Sequence, residues 1–490
     1  MILKRTAAIL LAICMLLTFA ACTEGETQGE TGNSADANAQ AGGNRTTTTG
    51  SGYVADTRPD IQGYVGQEVT IKEGNLQLIY TAPGKKRNWG GKTFTYATIN
   101  STPTHLDMLA KFEKEYNVNI KWTRYDIDGY VEQIAAQKAS GEPYDIAYLY
   151  DTWFPAEITR GLLEPVDPYI TTADLWDGKD PGQGGKGGFS KSNLQGLAWN
   201  NHAYAAAGGF HSGCTGIFYN KRMFQQAGQP DLLTLYNNGQ LTWERLYEIG
   251  SKINNPSKGV YFINNFSDYY SGSFVVSYNT DFAVISNGVV KENLSDKTLT
   301  TALQMFQKFT YGEGKLTDQT PKANESNGLD AFAKGTTACV IGWPASWTYI
   351  YERVEGKSVA FGKTKNNIGW VPLPEQNAAK KNVMGSYGGT AIGAGTSDPY
   401  VALTFAHWNS LYNIEGAYVA SMTNEVKKTS IAVLNKDNHR AAISGFKSSA
   451  GDVKGIRTAI NRAISGGGDI ASTLKAYKKQ LQRVLDAATA

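Results

Sequence analysis

The 490-residue chain sets 47 Lys plus Arg against 44 Asp plus Glu, a formal net charge of +3, with 5 His. So even a balance, without a long run of one sign, excludes nucleic-acid binding through a basic face. The 53 Gly, 15 Pro and 11% aromatic residues suit a globular α/β body of two or more lobes.

At the amino terminus Lys4 and Arg5 precede an apolar run from Ala7 to Ala21, broken only by Thr18 and ending at Cys22. Residues 1–21 are therefore expected to be a secretory signal, and no later apolar run is long enough for a transmembrane helix. The ending Ala20-Ala21-Cys22 resembles a bacterial lipoprotein signal, with Phe19 where Leu is usual. That resemblance implies lipidation of Cys22 and attachment to the outer face of the cell membrane of a Gram-positive bacterium. The alternative is an ordinary signal peptide. Losing Lys4 and Arg5 with the leader leaves 45 basic against 44 acidic residues, a mature net charge near +1.

Residues 22–60 open with Glu, Gln, Gly, Asn, Ala and Thr, with scarcely an apolar side chain larger than alanine as far as Gly52. Such a stretch cannot bury enough surface to offset its ordering entropy, so it reads as a flexible tether. Residues 61–91 carry no assignable role. Cys214 and Cys339 remain in the mature body; secretion permits a disulfide between them and the sequence does not decide it.

Phe94 to Ile99 is β-rich, and Leu106, Leu109, Phe112 and Tyr116 then recur at helical spacing after a capping Thr104. Val118, Ile120 and Trp122 alternate as a strand, and Asp145 to Tyr150 gives another after a Gly-Glu-Pro turn. This β-α-β-α-β order predicts a parallel sheet whose ligand-facing loops lie at the carboxyl ends of its strands. From about Asn220 to Gly328 helices dominate. Thr242 caps one that carries Leu246, Ile249 and Ile253, and Leu299, Leu303 and Phe306 mark another. Strands return at Thr337 to Ile341, Ile368 to Val371 and Thr390 to Gly393. Asp398 and Pro399 then start a helix bearing Val401, Phe405 and Trp408, and Ile470, Leu474, Tyr477 and Leu481 line the last one.

Four segments together resemble the extracellular solute-binding proteins of bacterial carbohydrate ABC importers, the group that includes maltose-binding protein. They are Tyr144 to Leu149 with Trp153 and Gly161-Leu162-Leu163-Glu164-Pro165; Thr215 to Lys221 with Phe224, Ala227-Gly228 and Thr242-Trp243-Glu244; Ala331 to Val340; and Ile368 to Pro374 followed by Gly388 to Ile392. In the third, Cys339 stands where Met is commoner. The resemblance covers about residues 92–490. It implies a two-lobed periplasmic-binding-protein-like fold of type II, with mixed sheets flanked by helices and a hinged cleft that closes on a sugar. Residues 92–208 and 330–386 would form the amino-terminal lobe, and 209–329 and 387–490 the other. It also implies a monomer that delivers its ligand to the membrane-spanning permease subunits of the transporter.

A sugar presents hydroxyls around its rim and C–H patches on its faces, so its site needs planar hydrogen-bonding groups beside aromatic platforms. The 10 Trp and 27 Tyr can supply the platforms. Trp153 follows a predicted strand, with Asp151 and Thr152 beside it, where the family places sugar contacts; the competing reading is a core tryptophan. Trp343 and Trp347 flank Pro344 after another strand, where relatives commonly stack a sugar ring. His211 and Ser212 lie in a crossing segment, Asp268 and Tyr269 in a loop of the second lobe, and Asn100 and Tyr387 complete the candidate set. Trp153 and one of Trp343 and Trp347 are expected to face each other across the cleft.

Two other function classes compete with this reading. A surface glycoside hydrolase needs two positioned carboxylates, and no acid pair here has a recognisable hydrolase context. A nucleophile elbow, a P-loop and a His-Glu-x-x-His motif are absent from the sequence, so neither catalysis, a cofactor nor a metal is expected. A cell-surface adhesin or peptide-binding lipoprotein would share the anchor but not the four segments.

Overall fold

A computed structural model describes residues 68–73, 76–81, 88–99, 101, 103–170, 174–176, 188–207, 213–264, 268–286, 289–318, 325–374, 383–413, 421–436, 439–448 and 450–489. An antiparallel hairpin of Glu68–Glu73 and Leu76–Thr81 precedes the main body.

The opening β-α-β-α-β order builds the first sheet. Its strands lie in the order Asn119–Arg124, Thr93–Thr98, Ile146–Tyr150, Gly388–Gly393 and Leu163–Glu164; all run parallel except Gly388–Gly393, which is antiparallel to both of its neighbours. Helix Pro103–Tyr116 covers one face with Leu109, Phe112 and Tyr116, all buried, as its spacing predicts. Helix Tyr400–Asn413 joins it there: the Phe405 ring lies 5.4 Å from that of Tyr96, and Trp408 lies 5.7 Å from Phe112 and donates its indole N–H to Glu115 at 2.6 Å. Asp145 locks the start of the central strand, accepting from the Thr95 amide at 2.8 Å and from the Thr396 hydroxyl at 2.7 Å.

The second sheet runs in the order Tyr261–Asn264, Thr337–Gly342, Gly216–Asn220 and Ile368–Pro372. Tyr261–Asn264 and Thr337–Gly342 are parallel, and Gly216–Asn220 is antiparallel to both of its neighbours. Helices surround it. Asn220 caps Lys221–Gln226 through the Arg222 and Met223 amides, and Thr242 caps Trp243–Ile253 through the Arg245 amide at 3.1 Å.

This sheet membership corrects the expected allotment of the chain. Thr337–Gly342, which fell in the first lobe by sequence, belongs to the second sheet, because the parallel strand Tyr261–Asn264 needs a partner reached through a helical crossover. Conversely, Gly388–Gly393 and helix Tyr400–Asn413, expected in the second lobe, belong to the first sheet and its helical layer. Sequence patterning also missed strands Ala283–Ser286 and Val289–Glu292, and helices Asn424–Leu434 and Val453–Ser465.

The passage between the two sheets is itself hydrogen-bonded. Ala206 bridges Thr390, and Gly213–Cys214, just before the chain enters the second sheet, pairs antiparallel with Val383–Ser386, which lies between the last strand of the second sheet and Gly388–Gly393 of the first. His439–Arg440 adds a third, parallel strand beside Val383–Met384. Tyr387 sits at this junction fully buried, with its hydroxyl 3.3 Å from His439 Nδ1. Gly196 lies flat against the ring, where a Cβ would come within 2.4 Å of Tyr387 Cδ2. Cys214 and Cys339 are both free and buried, so no disulfide links them.

Candidate functional site

A cavity lies where the two bodies and the crossing strands meet. The first body contributes Asp151 and Thr152 from the loop after strand Ile146–Tyr150, and the crossing strand contributes Gly385. Ala442 and Ser444 come from the extended segment after His439–Arg440. The second body adds Ser273 from helix Asp268–Ser277, with Lys454 and Arg457 from helix Val453–Ser465. Asp151 and Thr152 thus lie at the carboxyl end of a parallel strand, where that class of fold places ligand-facing loops.

Backbone hydrogen bonds hold the first wall. The Asp151 amide donates to the Tyr387 carbonyl at 2.8 Å, and Ser444 donates its hydroxyl to the Asp151 carbonyl at 2.9 Å. The Gly445 amide donates to the Phe154 carbonyl at 2.9 Å. A side chain at Gly445 would collide with the Trp153 carbonyl, since a built Cβ lies 1.8 Å from it, so glycine is required for this close approach.

The second wall is ordered by charge. Arg457 is only 4% exposed. It packs so tightly on helix Asp268–Ser277 that a Cβ on Gly272 would lie 2.6 Å from Arg457 Nη1. Asp281, beyond the end of that helix, accepts from the Ile443 and Phe282 amides at 2.7 Å each. Burial pushes the Asp281 carboxyl up to about 6, against the Ile443 hydrogen bond and the charge of Arg457, which pull it down. Asp281 therefore fastens the Ala442–Ser444 segment through the Ile443 amide.

Of the sequence candidates, the cavity includes Asp151 and, beside it, Thr152. Trp153 turns the other way. Its ring stacks on Tyr130 with centroids 4.4 Å apart and planes 5° from parallel, and its indole N–H donates to the Ile127 carbonyl at 3.0 Å. The ring face that a sugar would use is occupied, so Trp153 is a core tryptophan here. Trp347 is fully buried, donates its indole N–H to Ser421 at 3.0 Å and lies parallel to Tyr351. Trp343 is 9% exposed and packs within the main hydrophobic core.

The expected pairing of Trp153 with Trp343 or Trp347 assumed strands of one sheet, whereas the two strands belong to different sheets. Tyr387 serves the crossing strands instead of lining the cavity. Asp268 and Tyr269 start the helix that brings Ser273 to the cavity, whereas Asn100, His211 and Ser212 lie outside the described residues.

Ser273, Ser444, Lys454 and Arg457 were missed. The signal for the last two was present, because Val453, Ile456, Ile460 and Ile464 recur at helical spacing and are all buried. Asp452 caps that helix.

Residues 99–409 match the family of bacterial extracellular solute-binding proteins. The chain belongs to that family. Solved structures share its two-lobed fold. The galacto-N-biose/lacto-N-biose I-binding protein of an ABC transporter from Bifidobacterium longum, in complex with lacto-N-biose, is 14% identical; the alignment covers 81% of this chain and 97% of that one, with a TM-score of 0.56. The sugar-binding protein MalE from Xanthomonas citri is 15% identical over 80% of this chain and 97% of that one, with a TM-score of 0.58. The ABC transporter associated binding protein from B. animalis subsp. lactis, in complex with β-1,6-galactobiose, is 15% identical over 81% and 98%, with a TM-score of 0.53. No curated protein matches the chain in sequence.

Family membership makes this an extracellular solute-binding protein of the two-lobed type, and the cavity between the bodies measures about 20 Å³. Among the described residues, no group of three or more His, Cys, Asp or Glu can hold a metal ion, and no helix is long and apolar enough to cross a membrane.

Proposed function

We propose that this protein binds a carbohydrate outside the cell, held at the membrane through a lipid on Cys22, and passes it as a monomer to the membrane-spanning subunits of an ABC importer. The observation that carries the reading is the family match over residues 99–409, and a small cavity of about 20 Å³ between the bodies fits it. Its walls offer hydroxyls from Thr152, Ser273 and Ser444, a carboxylate from Asp151, and cations from Lys454 and Arg457, the mixture of donors and acceptors that a polyhydroxylated ring requires. Three structural relatives that bind or are named for sugars support the class of ligand. Asp268, Tyr269, Asn100, His211 and Ser212 remain candidates for further contacts.

Binding takes place without turnover in this reading. Calorimetry against a glycan panel tests it: at least one saccharide should bind and be recovered intact after prolonged incubation, and cleavage in proportion to protein would instead indicate a hydrolase. Cys22→Ala should abolish processing or release the protein from membranes. A processed, membrane-bound variant would rule out the lipid anchor.

A further inference from the structure

We propose that residues 441–447 form a strap that latches the two bodies together across the cleft before any solute is bound, and that a solute must release it to enter. The inference goes beyond the carbohydrate reading, because it concerns the protein without ligand and holds for any solute larger than a water molecule.

The strap is anchored in the second body. Arg440, just before it, donates to the Asn279 side-chain oxygen at 2.6 Å, and the Ile443 amide donates to Asp281 at 2.7 Å. The Val453 amide donates to the Phe446 carbonyl at 3.0 Å, and the Phe446 ring is fully buried. Along the same stretch the chain reaches the first body three times. The Ser444 hydroxyl donates to the Asp151 carbonyl at 2.9 Å, the Gly445 amide to the Phe154 carbonyl at 2.9 Å, and the Lys447 ammonium to the Asp128 carbonyl at 3.4 Å. Each is a single hydrogen bond of modest net strength, so the latch is reversible.

Gly445 shows how close the two bodies come. Its backbone lies outside the left-handed region, so its own conformation admits a side chain. The first body is what excludes one: a built Cβ lies 1.8 Å from the Trp153 carbonyl oxygen and 2.6 Å from the Phe154 amide nitrogen. Alanine at this position is therefore strained only while the bodies are joined. The space left under the strap is about 20 Å³, room for about one water molecule and too little for a sugar ring. The latched form thus shuts the solute out, and the apparent affinity of the protein falls in proportion to the fraction of molecules that are latched.

The test uses the full chain without ligand. Gly445→Ala is a wedge between the bodies, and Ser444→Ala removes one latch bond. Small-angle X-ray scattering should show both variants more extended than the parent, Gly445→Ala the more so, with near-ultraviolet circular dichroism still that of a folded protein. Thr242→Ala, which alters only the cap of helix Trp243–Ile253, should scatter like the parent. If Gly445→Ala fails to fold, Ser444→Ala carries the test, read as exchange of the Gly445 amide hydrogen on the order of tenfold faster than in the parent; unchanged exchange would overturn the latch. Equal scattering by the parent and a folded Gly445→Ala would overturn it too. A second arm rests on the carbohydrate reading: any saccharide of the glycan panel that binds the parent should bind Gly445→Ala more tightly in calorimetry, on the order of tenfold, because the wedge penalises the latched form alone. Weaker binding by the folded, extended variant would make the strap part of the clasp on the solute and overturn its role as a barrier. A panel without any binder would count against the carbohydrate reading and leave the latch to be decided by scattering.

Discussion

The first-body wall of the cleft is a loop, residues 151–154, whose aromatic side chain turns back into the protein, whereas the second-body wall is a helix, Val453–Ser465, whose two cations turn into the cavity. The first wall follows from where the fold puts the carboxyl ends of its strands, at the crevice of an α/β sheet. The two walls differ in what holds them. Trp153 fastens its loop from within by stacking on Tyr130, which frees the small polar residues Asp151 and Thr152 to face outward. Arg457 is held by close packing against Gly272 and remains at the cavity itself. A large aromatic residue near a binding loop can thus serve the loop's shape instead of its ligand.

The sharpest way to break this contrast is to remove the aromatic anchor. Trp153→Ala should lower stability by about 3 to 5 kcal/mol, the range for deleting a buried tryptophan, seen as an earlier denaturant midpoint. Loss of affinity with undiminished stability would put the ring back in the site.

A second effect separates the walls by pH. The Asp281 carboxyl is raised to about 6 in the folded protein, above its unfolded value, so its contribution is fully present below the unfolded pKa and is lost as pH rises through the folded one. Relative to Asp281→Asn, which does not titrate, the parent should lose about 2 to 3 kcal/mol of stability between about pH 4 and pH 7. Parallel stability curves for the two proteins would remove Asp281 from the account of the second wall.

Gly272→Ala sharpens the comparison further. The added methyl must displace Arg457 or the helix, at about 1 to 3 kcal/mol, and the change should weaken binding in calorimetry by more than it lowers the melting temperature. The smallest effect is expected far from either wall. Thr242→Ala removes the cap of helix Trp243–Ile253 and should cost about 1 kcal/mol with ligand affinity unchanged.

Much of the fold was legible in the sequence, because period and capping are local. The parallel opening, the Thr242 cap and the helix beginning after Asp398 all appear where their patterns place them. Sheet membership was less legible. Nothing local to Thr337–Gly342 or Gly388–Gly393 states which sheet will take it, and pairing is decided by partners more than 70 residues away in sequence. Asp151 lines the cavity where strand-end logic places it. The same logic does not reach Trp153, because the direction of one side chain depends on Tyr130, whose place is set by packing. Lys454 and Arg457 are less legible because Gly455, a poor helix former, sits in the first turn of the helix that Asp452 caps, although its isoleucines have the right spacing.

The two free thiols make the crossing strands observable. Cys214 sits on one of those strands, paired with Gly385, whereas Cys339 sits inside the second sheet between Tyr261–Asn264 and Gly216–Asn220. Both are fully buried, so neither meets a reagent in the state described here. Their exposure has different origins: a hinge movement that parts the crossing strands uncovers Cys214 alone, while Cys339 emerges only when the sheet itself comes apart. Alkylation rates at the two positions, followed by mass spectrometry on one sample, therefore form a clock for domain motion with its own internal standard for unfolding. Ligand that holds the bodies together should slow the first rate under conditions where the second is still governed by global stability.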